Sequence, residues 1–289
     1  MRAALPVESG RVSRAGARIG FETFGEGRPD ILLLPTWTII HSRFWKMQVP
    51  YLSRTYRVTA YDAPGNGLSD RVVDPERHSG ENIAADGLAV MDHLGIERAV
   101  LVGLSLGAHY AVRLAREAPD RVAGIALIGP TLGIVPPIPE RAAIGERIEQ
   151  PYPENPKGWE KYNISYWHDH YADFAQFFFS QAIPEPHSTK PIEDAVGWAL
   201  ETTAAVLEAE AHRPPPVESD REALSALDCP VLVIHGTEDR IQPHAVGAEA
   251  ARLTGGNLVS LGGSGHMPNV RDPVTVNLLL RRFVEGLAA

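Results

Sequence analysis

The sequence predicts an α/β fold in which helices flank a mostly parallel central sheet. Short apolar runs rich in β-branched residues alternate with amphipathic segments of helical spacing near both ends of the 289-residue chain. Turn-forming residues bound the apolar runs. This alternation is typical of parallel strands joined by helices that cover both faces of one sheet.

The elements are expected in the following chain order. Four strands are predicted in the first part of the chain, at residues 31–34, 56–61, 99–104 and 122–128. Three helices are predicted between them, at residues 44–52, 83–94 and 108–118. After residue 228 the pattern resumes, with strands at 231–235 and 257–261 and helices at 244–253 and 273–287.

The middle of the chain has a different composition. Proline clusters at 136–139 and 214–216 bound it, and residues 151–200 hold 11 of the 21 aromatic residues. Because proline interrupts regular structure, we expect residues 131–216 to form a helical cap inserted into a core of residues 1–130 and 217–289. Most of the aromatic side chains are expected to form a small core of the insertion, and a few to line an apolar cavity.

Charge and cysteine content exclude several classes of function. The net charge of −9 argues against binding to nucleic acid or to an anionic membrane, since both require a surplus of Lys and Arg. With Cys229 as the single cysteine, neither an intrachain disulfide nor a four-thiolate zinc site is possible. No run is apolar enough for a secretory signal or a membrane span, so we expect a cytoplasmic protein.

One segment has the pattern of a nucleophile presented on a sharp turn. Residues 103–107 read Gly-Leu-Ser-Leu-Gly, directly after a predicted strand and before a predicted helix. A strained strand-to-helix turn needs small residues on both sides of the serine, and it exposes the hydroxyl at the positive end of a helix. We therefore interpret Ser105 as a nucleophile.

A serine hydroxyl needs a base, and the base needs an orienting partner. Among the eleven histidines, His266 lies in a glycine-rich loop after the last strand, where one side chain can be presented. The loop after strand 231–235 contains two carboxylates, Glu238 and Asp239, at the same edge of the sheet. The resulting order along the chain is nucleophile, acid, histidine.

The chain resembles the α/β-hydrolase fold superfamily over nearly its whole length, and specifically a serine esterase with a helical cap. Four segments carry the resemblance: 103–107, the Tyr-Asp-Ala-Pro-Gly-Asn-Gly-Leu-Ser-Asp turn at 61–70, the acid loop at 236–243, and Gly265-His266. The resemblance implies Ser105 as nucleophile, His266 as base and Asp239, rather than Glu238, as the orienting acid. Asp62 and its turn are interpreted as structural.

The chain departs from the family pattern after the first predicted strand. Most relatives carry His-Gly there, whereas residues 35–37 read Pro-Thr-Trp. Proline has no backbone N–H, so we expect the amides of Trp37 and Leu106 to form the oxyanion hole. The Trp37 ring is expected to wall a substrate pocket, for which the further candidates are His41, Trp159, Tyr166, Trp167 and Phe178.

These residues predict a serine hydrolase that cleaves an ester, thioester or lactone bond of a small, largely apolar substrate through a covalent acyl-enzyme. No cofactor is expected. No metal is expected either, since His168 and His170, two residues apart on a helix, point to different faces. A monomer and a homodimer are both compatible with the sequence.

Three alternatives remain open. The same triad could hydrolyse a carbon–carbon bond, transfer an acyl group to an alcohol or form a peroxyacid. The chain could instead be a ligand-sensing protein of this fold with slow turnover. A non-catalytic interaction module is the third reading, although candidates for all three triad positions are present.

Overall fold

A computed structural model describes residues 4–287 and contains one eight-stranded sheet. The strands are β1 (Glu8–Arg14), β2 (Ala17–Phe24), β3 (Asp30–Leu33), β4 (Arg57–Tyr61), β5 (Ala99–Leu104), β6 (Val122–Ile128), β7 (Val231–Gly236) and β8 (Asn257–Leu261). Their order is β1-β2-β4-β3-β5-β6-β7-β8. Only the pairs β1–β2 and β2–β4 are antiparallel, so the predicted mostly parallel sheet is confirmed.

Helices follow most of the parallel strands. They are α1 (Val49–Leu52), α2 (Gly80–His93), α3 (Leu106–Glu117), α4 (Ile144–Arg147), α5 (Ile164–Ala182), α6 (Thr189–Ala199), α7 (Ala204–Ala211), α8 (Asp220–Ser225), α9 (His244–Thr254), α10 (Pro268–Arg271) and α11 (Pro273–Gly286). Buried residues divide into two large clusters, which pack on opposite faces of the sheet. The fold is therefore a sheet covered by helices on both sides.

The antiparallel pair β1–β2 was not expected. Strand β2 alternates in the way typical of a half-buried strand, with Ile19 and Phe21 inside. Strand β1 lies at the edge of the sheet and has no fully buried residue, so it lacks the apolar run on which the strand prediction relied. Strand β2 alternates apolar and polar residues, so it also lacks the continuous apolar run from which the other strands were predicted.

The predicted helix at 44–52 is wrong. The chain forms a single 3₁₀ turn, Ser42–Trp45, and then the short helix α1. Pro50 lies in the first turn of α1, where its missing N–H costs no hydrogen bond. The proline therefore starts a new helix and cannot continue an earlier one.

The segment between β6 and β7 contains helices and loops but no strand. Its aromatic side chains do not form a separate core. Trp167 and Phe174 belong to the same buried cluster as Val58 and Val102 of the sheet, and both contact Trp37. We call residues 131–216 the helical insertion; their treatment as a separate domain stays a prediction.

None of the helices within residues 4–287 combines the length with the apolar character that crossing a bilayer requires.

Candidate active site

Ser105 occupies a strained turn between β5 and α3. Its backbone angles, φ 55° and ψ −119°, lie in a region that residues with a side chain rarely adopt. The turn is held by hydrogen bonds from the Ser105 N–H to the carbonyl of Ile128 and from the Thr131 N–H to the carbonyl of Ser105. Because α3 begins at Leu106, the serine lies at the N-terminus of a twelve-residue helix.

The two glycines of the turn are required by close backbone approach. A Cβ at Gly103 would lie 2.2 Å from the carbonyl oxygen of Gly107, and a Cβ at Gly107 would lie 2.4 Å from that of Pro35. The second contact joins the turn to the loop after β3. The Gly-Leu-Ser-Leu-Gly pattern is thus explained by packing, as the sequence indicated.

Asp239 and His266 meet beyond the carboxyl ends of β7 and β8. Oδ2 of Asp239 lies 2.8 Å from Nδ1 of His266 and 3.0 Å from Nε2 of His235. The other oxygen accepts hydrogen bonds from the backbone N–H groups of Ile241 and Gln242. Glu238, the rival acid, is exposed.

The Asp239 carboxylate is strongly stabilised as an anion. Burial alone would raise the pKa of Asp239, but the imidazole of His266 and hydrogen bonds from His235 and His266 hold that pKa well below its ordinary value. An ionised acid bonded to Nδ1 leaves the Nε2 atom of His266 as the one available to a substrate or a nucleophile.

Ser105 and His266 line the same cavity, whose volume is about 150 Å³. The Ser105 hydroxyl lies 3.0 Å from the hydroxyl of Thr131. Within residues 4–287 no hydrogen bond joins Ser105 to His266. Hydrogen bonds between active-site groups often tighten only when substrate is bound.

Trp37 and Leu106 also line this cavity. Within residues 4–287 neither backbone N–H has a protein acceptor, and the amide of Leu106 belongs to the unpaired first turn of α3. The loop that carries Trp37 is fixed at two points after this residue. The carboxylate of Glu210 accepts the N–H and the hydroxyl of Thr38, and Asp62 accepts the N–H of Ser42.

Aromatic and aliphatic side chains form one part of the cavity wall. The Trp37 ring stacks on Tyr162, with centroids 5.6 Å apart, and meets Phe178 edge-on at 4.8 Å. Both partners line the cavity together with further apolar side chains, among them Ile241 and Met267. Trp37 and Phe178 are therefore at the positions expected for pocket residues.

Three predicted pocket residues lie elsewhere in the insertion. Trp167 is fully buried and packs behind Trp37, against Phe174 and Tyr162. Tyr166 donates its hydroxyl to Asp173, outside the cavity wall. Trp159 contacts Phe177 and lies under the guanidinium of Arg141. Their aromatic character reflects packing of the insertion on the sheet.

His41 is also absent from the wall. Its Nε2 lies 3.4 Å from Glu201, and its ring contacts Trp198. Burial lowers the pKa of His41, and the charges of Asp62 and Glu201 oppose that effect. His41 therefore joins the loop after β3 to Glu201 and Trp198 of the insertion.

The sequence reasoning missed several polar groups around the cavity. Thr131, Tyr162, Arg141 and Arg213 all line it. The proline clusters beside the two arginines predicted only the bounds of the insertion, and no sequence motif includes Thr131. His235 was identified as a strand end, but the four-residue spacing to Asp239 could have indicated their contact.

No group of three His, Cys, Asp or Glu side chains within residues 4–287 is arranged to hold a metal ion.

Comparisons with known proteins identify the family. A family model described as the alpha/beta hydrolase family matches residues 31–277. The chain is 30% identical over 277 residues to a non-heme haloperoxidase from Rhodococcus erythropolis, with 94% of this chain and 97% of the relative covered. The protein belongs to the alpha/beta hydrolase family.

Two further similarities concern esterases. The chain is 30% identical over 264 residues to a pimeloyl-acyl-carrier-protein methyl ester esterase from Aromatoleum aromaticum, covering 90% of this chain and 99% of the relative. Its fold is similar to that of an esterase from Rhodococcus sp., with a TM-score of 0.78, 24% identity, and coverage of 98% of this chain and 100% of that one. The predicted superfamily and fold are confirmed, and an ester-acting hydrolase is supported.

Proposed function

We propose that the protein is a serine hydrolase that cleaves carboxylic esters, thioesters or lactones of small, largely apolar substrates. The observation that carries the proposal is the shared cavity of Ser105 and His266, with Asp239 hydrogen-bonded behind the imidazole. Strain at Ser105 and ionisation of Asp239 are the two features that such chemistry requires of the fold.

In the proposed mechanism Ser105 attacks the acyl carbon. His266 takes the hydroxyl proton on Nε2 and passes it to the leaving alcohol, while Asp239 stabilises the imidazolium. The amides of Trp37 and Leu106 donate hydrogen bonds to the oxyanion of the tetrahedral intermediate. Water activated by His266 then cleaves the acyl-enzyme and regenerates Ser105.

Thr131 has a defined place in this cycle. In the site without substrate, the Thr131 hydroxyl is hydrogen-bonded to the Ser105 hydroxyl at 3.0 Å. Attack requires the Ser105 hydroxyl to turn toward His266, and Thr131 is then free to bond to water or to the substrate. The helical insertion supplies the roof of the cavity and acts as the cap of the active site.

The direct test is turnover of p-nitrophenyl acetate by Ser105→Ala. Ser264→Ala is the matched control, because Ser264 lies in the loop of His266 and, within residues 4–287, its hydroxyl forms a hydrogen bond only with Glu185, at 3.4 Å. We expect Ser105→Ala to lose turnover by about 10,000-fold or more and Ser264→Ala to retain it within about threefold. Equal turnover by both variants would refute the nucleophile.

A second candidate function is perhydrolysis, which the similarity to a non-heme haloperoxidase favours. Hydrogen peroxide would replace water in attacking the acyl-enzyme, so that Ser105 is released and a peroxyacid forms. The two functions are distinguished by adding peroxide and acetate and measuring halide oxidation. A Ser105-dependent oxidation would support perhydrolysis, and its absence beside ester turnover would exclude it.

A further inference from the structure

Two arginines from opposite ends of the helical insertion line the cavity of Ser105. Arg141 precedes α4 and Arg213 follows α7, and both side chains are half-buried. A cation is expensive to keep out of water unless an anion or a set of hydrogen bonds compensates it. The hydrogen-bond and ion-pair partners of the two guanidinium groups therefore determine whether the arginines are available to bind a ligand.

Neither guanidinium forms an ion pair with Asp or Glu within residues 4–287. Arg141 donates to the carbonyl of Ile241, and its Nε is buried without a hydrogen-bond partner. Arg213 donates one hydrogen bond, to the carbonyl of Glu210 at 2.9 Å. Since arginine has five N–H donors, most of the donors of both groups are unused.

The carboxylates whose charges act on the two arginines already accept hydrogen bonds from other groups. Glu210 accepts hydrogen bonds from Thr38 and from Tyr110. Asp239 accepts four, from two histidines and two backbone amides. Their charges act on the arginines at longer range but leave the N–H donors toward the cavity unpaired.

Tyr162 lines the same cavity as Arg141 and Arg213. Its ring centroid lies 5.8 Å from the Arg141 guanidinium. Burial raises the pKa of Tyr162, and the charges of both Arg141 and Arg213 act against that effect. Because Arg141, Arg213 and Tyr162 line the same cavity, a small anion bound there could reach all three.

We propose that Arg141 and Arg213, with the Tyr162 hydroxyl, form an anion subsite that binds a carboxylate carried by the substrate at a distance from the scissile ester. Planar guanidinium groups match a carboxylate geometrically, and such charge-assisted hydrogen bonds are about twice as strong as neutral ones. The apolar walls at Trp37 and Phe178 would contact the carbon chain between the two ends. The favoured substrates are then short esters with one free carboxylate, a refinement that rests on the proposed esterase function.

The kinetic test compares two esters of equal shape and different charge. Monomethyl glutarate carries the carboxylate, and methyl 5-methylhexanoate carries an isopropyl group in its place. We expect the wild type to favour the anionic ester in kcat/KM by at least about tenfold. Arg141→Met and Arg213→Met should each lower the ratio of anionic to neutral kcat/KM by about 10- to 100-fold.

Arg240→Met is the matched control, because Arg240 is exposed and does not line the cavity. It should leave the ratio unchanged and so exclude a general effect of net charge. If Arg141→Met fails to fold, as judged by circular dichroism, Arg213→Met and Arg213→Gln still test the proposal. A ratio near one in the wild type, or one that no arginine variant changes, would overturn a subsite on the acyl side of the ester.

Binding of glutarate, measured by calorimetry at constant ionic strength, separates this inference from the proposed function. Glutarate contains no ester and needs no turnover. If glutarate binds in a manner that requires both arginines but no ester is cleaved, the subsite stands and the esterase proposal fails. If neutral esters are cleaved but glutarate does not bind, the esterase proposal stands and the subsite is refuted.

A second series, in which the carboxylate is on the alcohol side, locates the subsite relative to the ester. 4-Acetoxybutyrate is the probe, compared with its uncharged methyl-branched analogue. An arginine-dependent preference in this series instead of the glutarate series would support the subsite and place it on the leaving-group side. A preference in neither series would refute it.

Discussion

The edge of the sheet and the helical insertion enclose one cavity but are built on different principles. At the sheet edge, Ser105, Asp239 and His266 each follow a strand, and the register of the parallel strands brings those strand ends together. In the insertion, Tyr162, Arg141 and Arg213 come from short helical turns and loops. Their positions depend on how aromatic side chains pack against Trp37.

The difference separates chemistry from selectivity. Backbone geometry fixes the groups at the sheet edge, where glycines admit approaches too close for any side chain. Side-chain packing fixes the insertion, and a change in one aromatic residue can reshape the cavity without disturbing the sheet. We infer that reaction type is set at the sheet edge and substrate choice in the insertion.

The largest expected effect tests the sheet edge. Asp239→Asn removes the charge that stabilises the imidazolium of His266. The Asn amide can also donate to Nδ1, which favours the His266 tautomer that carries its proton on Nε2. We therefore expect kcat for p-nitrophenyl acetate to fall by about 10,000-fold. Glu238→Gln, one residue away and exposed, should change kcat by less than about twofold. The opposite ranking would show that Glu238 is the acid and would contradict the assignment.

The next test concerns the junction between the turn at Ser105 and the loop of Trp37. In Gly107→Ala the new Cβ would lie 2.4 Å from the carbonyl of Pro35, so the loop must move. We expect the free energy of unfolding, measured by urea denaturation, to fall by about 3 kcal/mol, with a loss of turnover.

Gly145→Ala is the control for that substitution, since a Cβ there meets no atom within 4 Å and lies in helix α4 of the insertion. Its stability should be unchanged or slightly higher. If both glycine variants behave alike, tight packing is not confined to the sheet edge, and the contrast between the two regions is lost.

A third prediction tests how the insertion is anchored to the core. Asp220 accepts hydrogen bonds from His109 and Arg113 of α3 and from the N–H of Gly133. Burial alone would raise the pKa of Asp220, but the His109 hydrogen bond and charge, with the Gly133 amide and Arg113, lower it to about 2. A lowered carboxylate pKa stabilises the fold above pH 4, and this stabilisation is lost as the pH falls toward 2.

Asp220→Asn should therefore reduce the free energy of unfolding by about 2 kcal/mol at pH 7 and by about half as much at pH 3. Urea denaturation at the two pH values measures the difference. Asp228→Asn, at an exposed position, should have no effect at either pH. A pH-independent loss in Asp220→Asn would show that packing, and not ionisation, explains the effect.

The smallest effect concerns Glu210, the carboxylate of the insertion that bonds to Thr38, directly after Trp37 in the loop of the proposed oxyanion hole. In Glu210→Gln the side chain loses its charge, and one of the two oxygens that accept from Thr38 and Tyr110 becomes an NH₂ donor. We expect kcat to fall by about tenfold with little change in KM, because the Trp37 amide acts in the transition state.

Glu208→Gln on the same helix is the control, since Glu208 bonds to His168 at the surface. It should leave kcat unchanged. An increase in KM alone for Glu210→Gln would mean that Glu210 shapes the pocket and does not position the oxyanion hole.

The sequence predicted the sheet edge well because its signals are local. Strand β5, the turn of Ser105 and helix α3 follow one another within twenty residues, and each needs particular residue types at fixed positions. The edge strand β1 was missed, since an edge strand can lack a buried apolar run. Strand β1 forms by pairing with β2, and the composition of β1 alone does not indicate a strand.

The cavity wall could not be predicted in the same way. Trp167 and Tyr166 are neighbours in sequence and both are buried, yet one packs behind Trp37 and the other bonds to Asp173, outside the cavity wall. Their roles depend on the direction in which α5 crosses the sheet, and no local signal encodes it. Arg141 and Arg213 meet the cavity only through tertiary packing.

The most direct test of the account is to label the protein with a fluorophosphonate and map the adduct by mass spectrometry. The reagent requires a serine activated by a neighbouring base, so it reports nucleophilicity without knowledge of the substrate. We expect a single adduct on Ser105 that is lost in His266→Ala. Labelling at another residue, or labelling of Ser105 that persists without His266, would contradict it.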